Sequence, residues 1–367
     1  MSLSKVTINR AQGGLGRILD SKDGYSALFV VDSAGTAGEY TFFTAQDSID
    51  EGVFSDRVNH QISEYFRFAS SPLYVKTVTS TTNYTEIEDL QRYADGEARQ
   101  IGVYDLEGSF GLTDLSALQT VADNLEADKT PASFFLAKAI SGTIEALDDL
   151  GTGLNYRTSF IVGEDLTTKA SLGVTFLGSV GTFLGLASKT AVGESLAWVE
   201  KSNVQSGSLY ADFGFIDGTS YTSKASTMLE ALDDKKAVFF TKFVGLDGVF
   251  PSYDYSCIAN TSDFNTFQLN KVYDKAYRNL NTIYTPKLNS KLKVIEGGKL
   301  EFTTIKYFEN LGSQSLTNME TSGEISGFVI EIDPNQNVLA TDTLNVVVKI
   351  RPNATGKFIT VTLGFTI

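Results

Sequence analysis

The chain has 367 residues, a hydrophobic fraction of 42% and a formal net charge of −14 at pH 7. This length predicts one large domain with extensions, or two to three domains, with enough apolar material for a buried core. The acidic balance argues against a nucleic-acid surface, because phosphate contacts need clustered lysine and arginine, and it suits a soluble protein.

The cysteine and histidine content restricts the chemistry further. Cys257 is the only cysteine and His60 the only histidine, so an intrachain disulfide and a zinc site of Cys and His ligands are excluded. His60 lies on a predicted helix, where a structural imidazole is favoured over a catalytic base. The start, MSLSKVTINR, lacks an apolar signal core. We therefore expect a cytoplasmic protein that is not an enzyme and has no cofactor or metal.

Residues 1–20 are predicted to form an extended N-terminal arm. Val6 and Ile8 alternate with polar residues, as in a short strand. Gly13, Gly14 and Gly16 then give a mobile hinge. The same stretch, QGGLGR, invites a phosphate-loop interpretation, but the Lys-Ser/Thr pair that such loops require does not follow it. A hinge is the preferred interpretation.

Residues 21–235 are predicted to form an α/β core. Apolar runs typical of strands alternate with helical patterns. The expected strands are 25–31, 72–78, 100–104, 133–137 and 155–163, and the expected helices 56–68, 86–99 and 115–125. This alternation predicts a layered sheet with flanking helices. Its strand order stays open, because the turns suit crossovers as well as hairpins.

The longest apolar tract, residues 172–186, is too short and too polar to span a bilayer. It contains Thr175, Ser179 and Thr182 together with four glycines. We therefore expect no direct membrane insertion and predict a buried helix packed through its glycines, within a mostly helical stretch from 172 to 199.

Residues 236–356 are predicted to form a C-terminal α/β domain. It begins with strands at 237–244 and 249–253. A long helix follows from Phe264, capped by Ser262 and Asp263, to about Tyr284, where Pro286 ends it. The remaining elements are a helical or mixed stretch at 300–319 and strands at 325–332 and 344–350. The intervening DPNQN (333–337) lacks two features of a calcium loop and is predicted as a turn.

The last residues, 357–367, are predicted to be an exchange strand. Their apolar side chains alternate with threonine and glycine, which is typical of a strand with one buried face, at Ile359, Val361, Leu363, Phe365 and Ile367. With strand 344–350 they would form a hairpin whose turn holds Gly356 as a hinge. An unpaired apolar strand associates with other chains unless it has an intended partner. Residues 344–350 would belong to the chain's own sheet, and 357–367 would be donated.

An ordered set of motifs in residues 236–367 carries a resemblance to a known family. A Gly-Val turn and aromatic strand (GVFPSYDYSC) precede a helix with the core KVYDKAYR. A proline ends that helix, a Gly-Lys-Leu stretch follows, and a strand pair ending ITVTLGFTI closes the chain. This order resembles contractile tail sheath proteins of phages and related injection machines. The N-terminal half matches only in layout, and KVTINRAQGGLGR resembles a short, divergent branch.

The resemblance implies a virion or injection-machine structural protein. Such subunits stack as rings around an inner tail tube and exchange strands of their terminal arms in a composite sheet. They contract to drive the tube through a target envelope. The expected partners are further copies of the chain in a helical homopolymer, the tube protein, and baseplate and tail terminator proteins. Assembly is expected in the host cytoplasm, and the mature location is a virion tail or injection-machine sheath.

The long predicted helix is the expected tube-facing element. Lys271, Lys275 and Arg278 recur at i, i+4 and i+7, which places them on one face. A basic stripe on an acidic protein fits an acidic tube surface, whereas a solvated face is the plainer interpretation. On the first interpretation, reversing the charges of Lys271 and Lys275 weakens assembly and leaves folding intact.

Two other functional classes remain open from the sequence. One is an exported or surface adhesin-like protein, which the aromatic strands allow. The other is an α/β enzyme, which the layout of residues 25–163 permits but for which the sequence offers no recognisable site.

Overall fold

The protein is described here by a computed structural model that covers residues 22–364. Its strands are β1 Ser26–Val31, β2 Gly38–Phe42, β3 Leu73–Val78, β4 Gln100–Asp105, β5 Ser133–Lys138, β6 Leu154–Asn155, β7 Thr158–Phe160, β8 Gly163–Asp165, β9 Phe213–Phe215, β10 Phe240–Thr241, β11 Phe250–Pro251, β12 Cys257–Ile258, β13 Ile325–Glu331 and β14 Val347–Pro352. Its α-helices are α1 Ala45–Glu51, α2 Asp56–Phe68, α3 Glu86–Tyr93, α4 Leu112–Ala127, α5 Leu166–Leu172, α6 Val180–Lys189, α7 Ser226–Asp234, α8 Phe267–Tyr284, α9 Phe302–Thr321 and α10 Val338–Thr341.

A six-stranded sheet forms the centre of the first part of the chain. Its order is β2-β3-β1-β4-β5-β7, and every neighbouring pair is parallel except β2 with β3. All residues of β1, β4 and β5 are buried, as continuous apolar runs predict for central strands. Helices flank the sheet. The predicted mixed α/β fold is confirmed. Strand β1 pairs with β3 on one side and with β4 on the other.

Most predicted elements of this part occur near their expected limits. Helix α2 has the predicted bounds. Helix α3 is shorter than predicted, because it ends at Tyr93 and Asp95 then adopts a left-handed conformation (φ 55). Strand β2 and helix α1 were not predicted, since β2 is a largely polar edge strand with a weak pattern. The predicted strand 237–244 shrinks to the two residues of β10.

Helix α6 crosses α2 at close range through two glycines. A methyl group on Gly181 would overlap the carbonyl oxygen of Gln61, and one on Gly185 would press on the carbonyl oxygen of Tyr65. The amide of Gln61 fastens the crossing: its Oε1 accepts from the Gly181 N–H at 2.8 Å, and its Nε2 donates to the Leu177 carbonyl at 2.9 Å. Glycine is therefore required here for close packing.

The predicted buried helix of the apolar tract is confirmed over Val180–Lys189, where eight of the ten residues are buried. The rest of the predicted helical stretch to residue 199 is mostly turns. Within residues 22–364, no helix is long and apolar enough to cross a membrane.

The C-terminal part is a layer of two helices and two strands. Helix α8 packs on α9, and α9 packs on β13. Val272, Ala276, Leu316 and Met319 form the buried centre of this layer. Helix α8 begins three residues later than predicted, because Thr266 and not Ser262 or Asp263 caps it: the Thr266 hydroxyl accepts from the N–H of Leu269.

The hydrophobic core of the first part includes residues beyond 236, the position at which the C-terminal domain was predicted to begin. Ala237, Val238, Phe239 and Phe240 all belong to the main hydrophobic cluster, as does Phe267 at the start of α8. The C-terminal layer is therefore attached through α8 to a core that continues to this helix.

We predict that Gly181→Ala lowers the free energy of unfolding by about 1–3 kcal/mol, because α6 must move away from α2 to relieve the overlap. Chemical denaturation monitored by circular dichroism measures the change. Gly142→Ala is the matched control, since a methyl group there meets nothing within 4 Å. Equal stability of the two variants would contradict the close-packing account.

Candidate functional site

The C-terminal sheet consists of two antiparallel strands with open outer edges. β13 pairs with β14 in a register that places Phe328 opposite Ile350 and Ile330 opposite Val348. These four side chains pack against the buried centre on α8 and α9. Among residues 22–364, no third strand joins either outer edge. Each edge therefore presents main-chain groups that another strand can pair with.

The segment that follows β14 is apolar and unpaired. Residues 355–364 form no strand or helix. Phe358, Ile359, Val361 and Leu363 are 84%, 85%, 79% and 92% exposed. Such a run of exposed apolar side chains marks an association surface. An open-edged sheet and an unpaired apolar segment thus occur in the same part of one chain.

The predicted C-terminal hairpin is wrong, because β14 pairs with β13 and not with residues 357–364. The prediction that the first run belongs to the chain's own sheet is confirmed, with bounds Val347–Pro352. Gly356 lies in the unpaired segment, in open space, and its role as a hinge stays a prediction. The other predicted arm and hinge residues lie outside the described residues: Val6, Ile8, Gly13, Gly14, Gly16, Phe365 and Ile367.

The first residue of the predicted basic stripe is inside the protein. Lys271 is 5% exposed, and its Nζ donates at 2.7 Å to the carbonyls of Ala187 and Thr190 at the end of α6. Burial lowers the pKa of Lys271 to about 8. The expectation that Lys271 lies on a surface is therefore wrong, and its ammonium instead bonds α8 to the main body.

The other two residues of the stripe are engaged within the chain. Lys275 forms ion pairs with Asp23 at 2.7 Å and Glu324 at 2.5 Å. Arg278 reaches the same Asp23 at 3.1 Å. Helical spacing correctly placed the three cations on one side of α8. That side faces the protein's own carboxylates and carbonyls, so Lys275 and Arg278 already have partners within the chain. Their contact with a tube stays a prediction.

A buried ion-pair network joins α8 to the main sheet. The guanidinium of Arg157 is 1% exposed in its side chain and contacts the carboxylates of Asp274 on α8 and Glu126 on α4. Burial opposes the charge, but the two carboxylates outweigh it and raise the pKa of Arg157. A buried guanidinium needs such compensation, so the three elements are held at fixed relative positions.

A second polar cluster lies at the carboxyl ends of the parallel strands, where open α/β sheets bind ligands. Asp105 ends β4 and Lys138 ends β5, and they form an ion pair at 2.8 Å. Tyr84 donates to Asp105 at 2.7 Å, and Asp114 accepts from Lys138 at 3.1 Å. Burial disfavours the ammonium, but Asp105 and Asp114 outweigh it and raise the pKa of Lys138. The charged and polar groups of this cluster are ion-paired and hydrogen-bonded to one another. The cluster is therefore a structural part of the core.

His60 lies on α2 and is half-buried. Burial lowers the pKa of its imidazole, against the opposing charges of Glu64 and Asp165. Residues 22–364 contain no group of three or more His, Cys, Asp or Glu side chains that could hold a metal ion. The DPNQN stretch forms the predicted turn, in which Asp333 accepts from the N–H of Asn335 and Asn337 caps α10.

Two family models together match nearly all of the chain. The model described as DUF2586, N-terminal domain, matches residues 3–253, and the model described as DUF2586, C-terminal domain, matches residues 263–367. No curated protein sequence matches the chain.

Solved structures with the same fold come from contractile machines. The helical sheath of the anti-feeding prophage in its contracted state is 12% identical, with a TM-score of 0.66 over 97% of this chain and 99% of that one. The PVC sheath of an extracellular contractile injection system is 10% identical, with a TM-score of 0.65 over 98% of each chain. The sheath tail protein Lin1278 from Listeria innocua is 10% identical, with a TM-score of 0.56 over 92% and 93%. The chain therefore has the fold of contractile sheath proteins along its full length.

We predict that Lys271→Glu lowers the free energy of unfolding by about 3–5 kcal/mol, because it buries an unpaired carboxylate against two carbonyl oxygens. This result would correct the expectation that charge reversal leaves folding intact. Denaturant titration measures it. Lys291→Glu, at an exposed position, is the control and is expected to change stability by less than about 0.5 kcal/mol. A stable Lys271→Glu variant would contradict the buried arrangement.

Proposed function

The chain belongs to the DUF2586 family and has the fold of contractile sheath proteins, and on this premise we propose that it is the structural subunit of a contractile sheath. The observation that carries the proposal is the exposed apolar segment beside the open-edged sheet of β13 and β14. The segment of one subunit adds a strand to the sheet of a neighbour, so that main-chain hydrogen bonds supply affinity and alternate side chains supply register.

The free energies of burial, hydrogen bonding and chain ordering favour a strand link that is weak between two subunits but stable when a lattice repeats it. Full burial of each of Ile359, Val361 and Leu363 stabilises by roughly 1.5–3 kcal/mol, and each new backbone hydrogen bond adds about 1 kcal/mol net. Ordering the segment costs about 1–2 kcal/mol per residue. The gains and costs are of similar size, so one link is modest. A helical lattice that repeats the link many times is nevertheless stable.

The sheath surrounds an inner tail tube and contracts to drive it through a target envelope. The baseplate and the tail terminator hold its two ends, and assembly takes place in the host cytoplasm. The N-terminal arm, with Val6 and Ile8, provides the second strand of the composite sheet. During contraction the strand links persist while the main bodies of the subunits rotate. The free-energy difference between the extended and contracted sheath lies in contacts between these bodies, which change between the two states.

We predict that Ile359→Ser, Val361→Ser and Leu363→Ser together abolish assembly into cylinders but leave the subunit folded. These side chains are exposed in the isolated chain, so the free energy of unfolding should change by less than about 0.5 kcal/mol. The substitutions remove the apolar face that the neighbour would bury. Electron microscopy and sedimentation measure assembly of the chain, alone or with tube protein, and calorimetry measures stability.

The matched control is Thr360→Ser with Thr362→Ser, which alters the opposite face of the same segment and should assemble normally. Cylinders of normal length from the triple variant would refute strand donation by this segment. Loss of stability in the triple variant would show that the segment packs on its own subunit.

A further inference from the structure

The ammonium of Lys357 occupies a cage built by the main body. Its Nζ donates to the Asp233 carboxylate at 2.7 Å and to the Tyr255 hydroxyl. It also lies over the rings of Tyr253 and Tyr255, at 4.6 and 4.7 Å from the ring centroids. Asp233 accepts a further hydrogen bond from the Tyr255 hydroxyl at 3.0 Å. A cation that contacts a carboxylate, a tyrosine hydroxyl and the ring of a second tyrosine is bound by charge and by a ring quadrupole together.

Lys357 is the last of three anchors at alternate positions. Asn353 donates to the Gly323 carbonyl at 2.6 Å and accepts from the Ser326 hydroxyl at 2.8 Å. Thr355 donates to Gln268 at the start of α8 at 2.7 Å. The chain turns at Gly356, where the N–H of Lys357 donates to the carbonyl of Thr355 at 3.1 Å. The three contacts therefore hold residues 353–357 on the body up to the point where the exposed apolar residues begin.

Side-chain exposure rises abruptly after Lys357. Its side chain is 25% exposed, whereas Phe358 and Ile359, which follow directly, are 84% and 85% exposed. The chain is fastened through Lys357 and leaves the body immediately afterwards. The cage residues come from α7 and from the stretch that follows β11, so the fastening joins the C-terminal layer to the main body.

We propose that Lys357, with Asp233, Tyr253 and Tyr255 (the Lys357 cage), is a positioning anchor that fixes where the donated segment leaves its subunit. This inference rests on the proposed function. A strand offset by one residue turns every apolar side chain to the wrong face. A fixed attachment directly before the segment restricts such offsets. It also shortens the freely moving chain, which lowers the entropy lost when the neighbour captures the strand.

The first experiment measures the segment in the unassembled subunit. A nitroxide label is placed on Thr360→Cys, because Cys257 is fully buried and does not compete for the reagent. Below the assembly concentration, Lys357→Met should sharpen the spectrum as the segment gains motion. Lys357→Arg keeps the charge and should restore the restricted spectrum.

The second experiment measures the critical concentration for assembly by sedimentation. Lys357→Met should raise it about tenfold, which corresponds to about 1.4 kcal/mol, and Lys357→Arg should return it to within about twofold of the wild type. Tyr253→Leu removes one ring and should act like Lys357→Met. Tyr253→Phe keeps the ring and is the matched control.

The outcomes separate this inference from the proposed function. If Lys357→Met leaves the motion of the label or the critical concentration unchanged from the wild type, the anchor is overturned. This holds even if the segment itself is essential for assembly. Normal assembly after substitution of the apolar face overturns strand donation, while the label still reports whether Lys357 holds the segment. Equal effects of the Met and Arg variants would show that packing and not charge fastens the chain, which also contradicts the cage.

Discussion

The open edges of the C-terminal sheet are the constraint on which the rest of this account depends. Backbone N–H and C=O groups along a strand edge require partners, and a two-stranded sheet satisfies only its inner pair of edges. Helices α8 and α9 cover one face of the sheet, but they cannot supply strand hydrogen bonds. The same chain carries an exposed apolar segment that alternates like a strand. Donation between copies satisfies both features at once.

Strand donation transmits force only if the sheet is firmly attached to the body, and α8 provides this attachment. Asp274 binds the buried guanidinium of Arg157, and Lys271 binds carbonyls at the end of α6. Breaking buried pairs of this kind is costly because the remaining charge is left uncompensated. The charged residues of α8 thus unite the C-terminal layer with the main sheet. A rotation of the body would carry the sheet with it.

The sequence predicted the regular parts of the fold well because their signals are local. The continuous apolar run of β1 and the helical pattern of α2 each identify an element without knowledge of its surroundings. The hairpin prediction failed because alternation identifies a strand but not its partner. β14 pairs with β13 so that Val348 and Ile350 join Phe328 and Ile330 over the helices.

The candidate site was predicted only where its signals are local in the sequence. The apolar pattern of the last residues indicated the unpaired segment, whereas the environment of Lys271 depends on tertiary packing. One local signal was available: Lys271 follows the buried Phe267 by one helical turn, which places it on the same face. The Lys357 cage had no comparable signal. Lys357 lies 102 positions from Tyr255 and 124 from Asp233 in the sequence, and only the fold brings them together.

The most direct test of strand donation is a cryo-EM structure of the assembled cylinder at a resolution that traces side chains. The account predicts that residues 358–364 of one subunit lie as a third strand on the open edge of β13 or β14 of a neighbour, with Ile359, Val361 and Leu363 facing its helices. A cylinder in which these residues stay exposed, or pair with their own subunit's sheet, would contradict it.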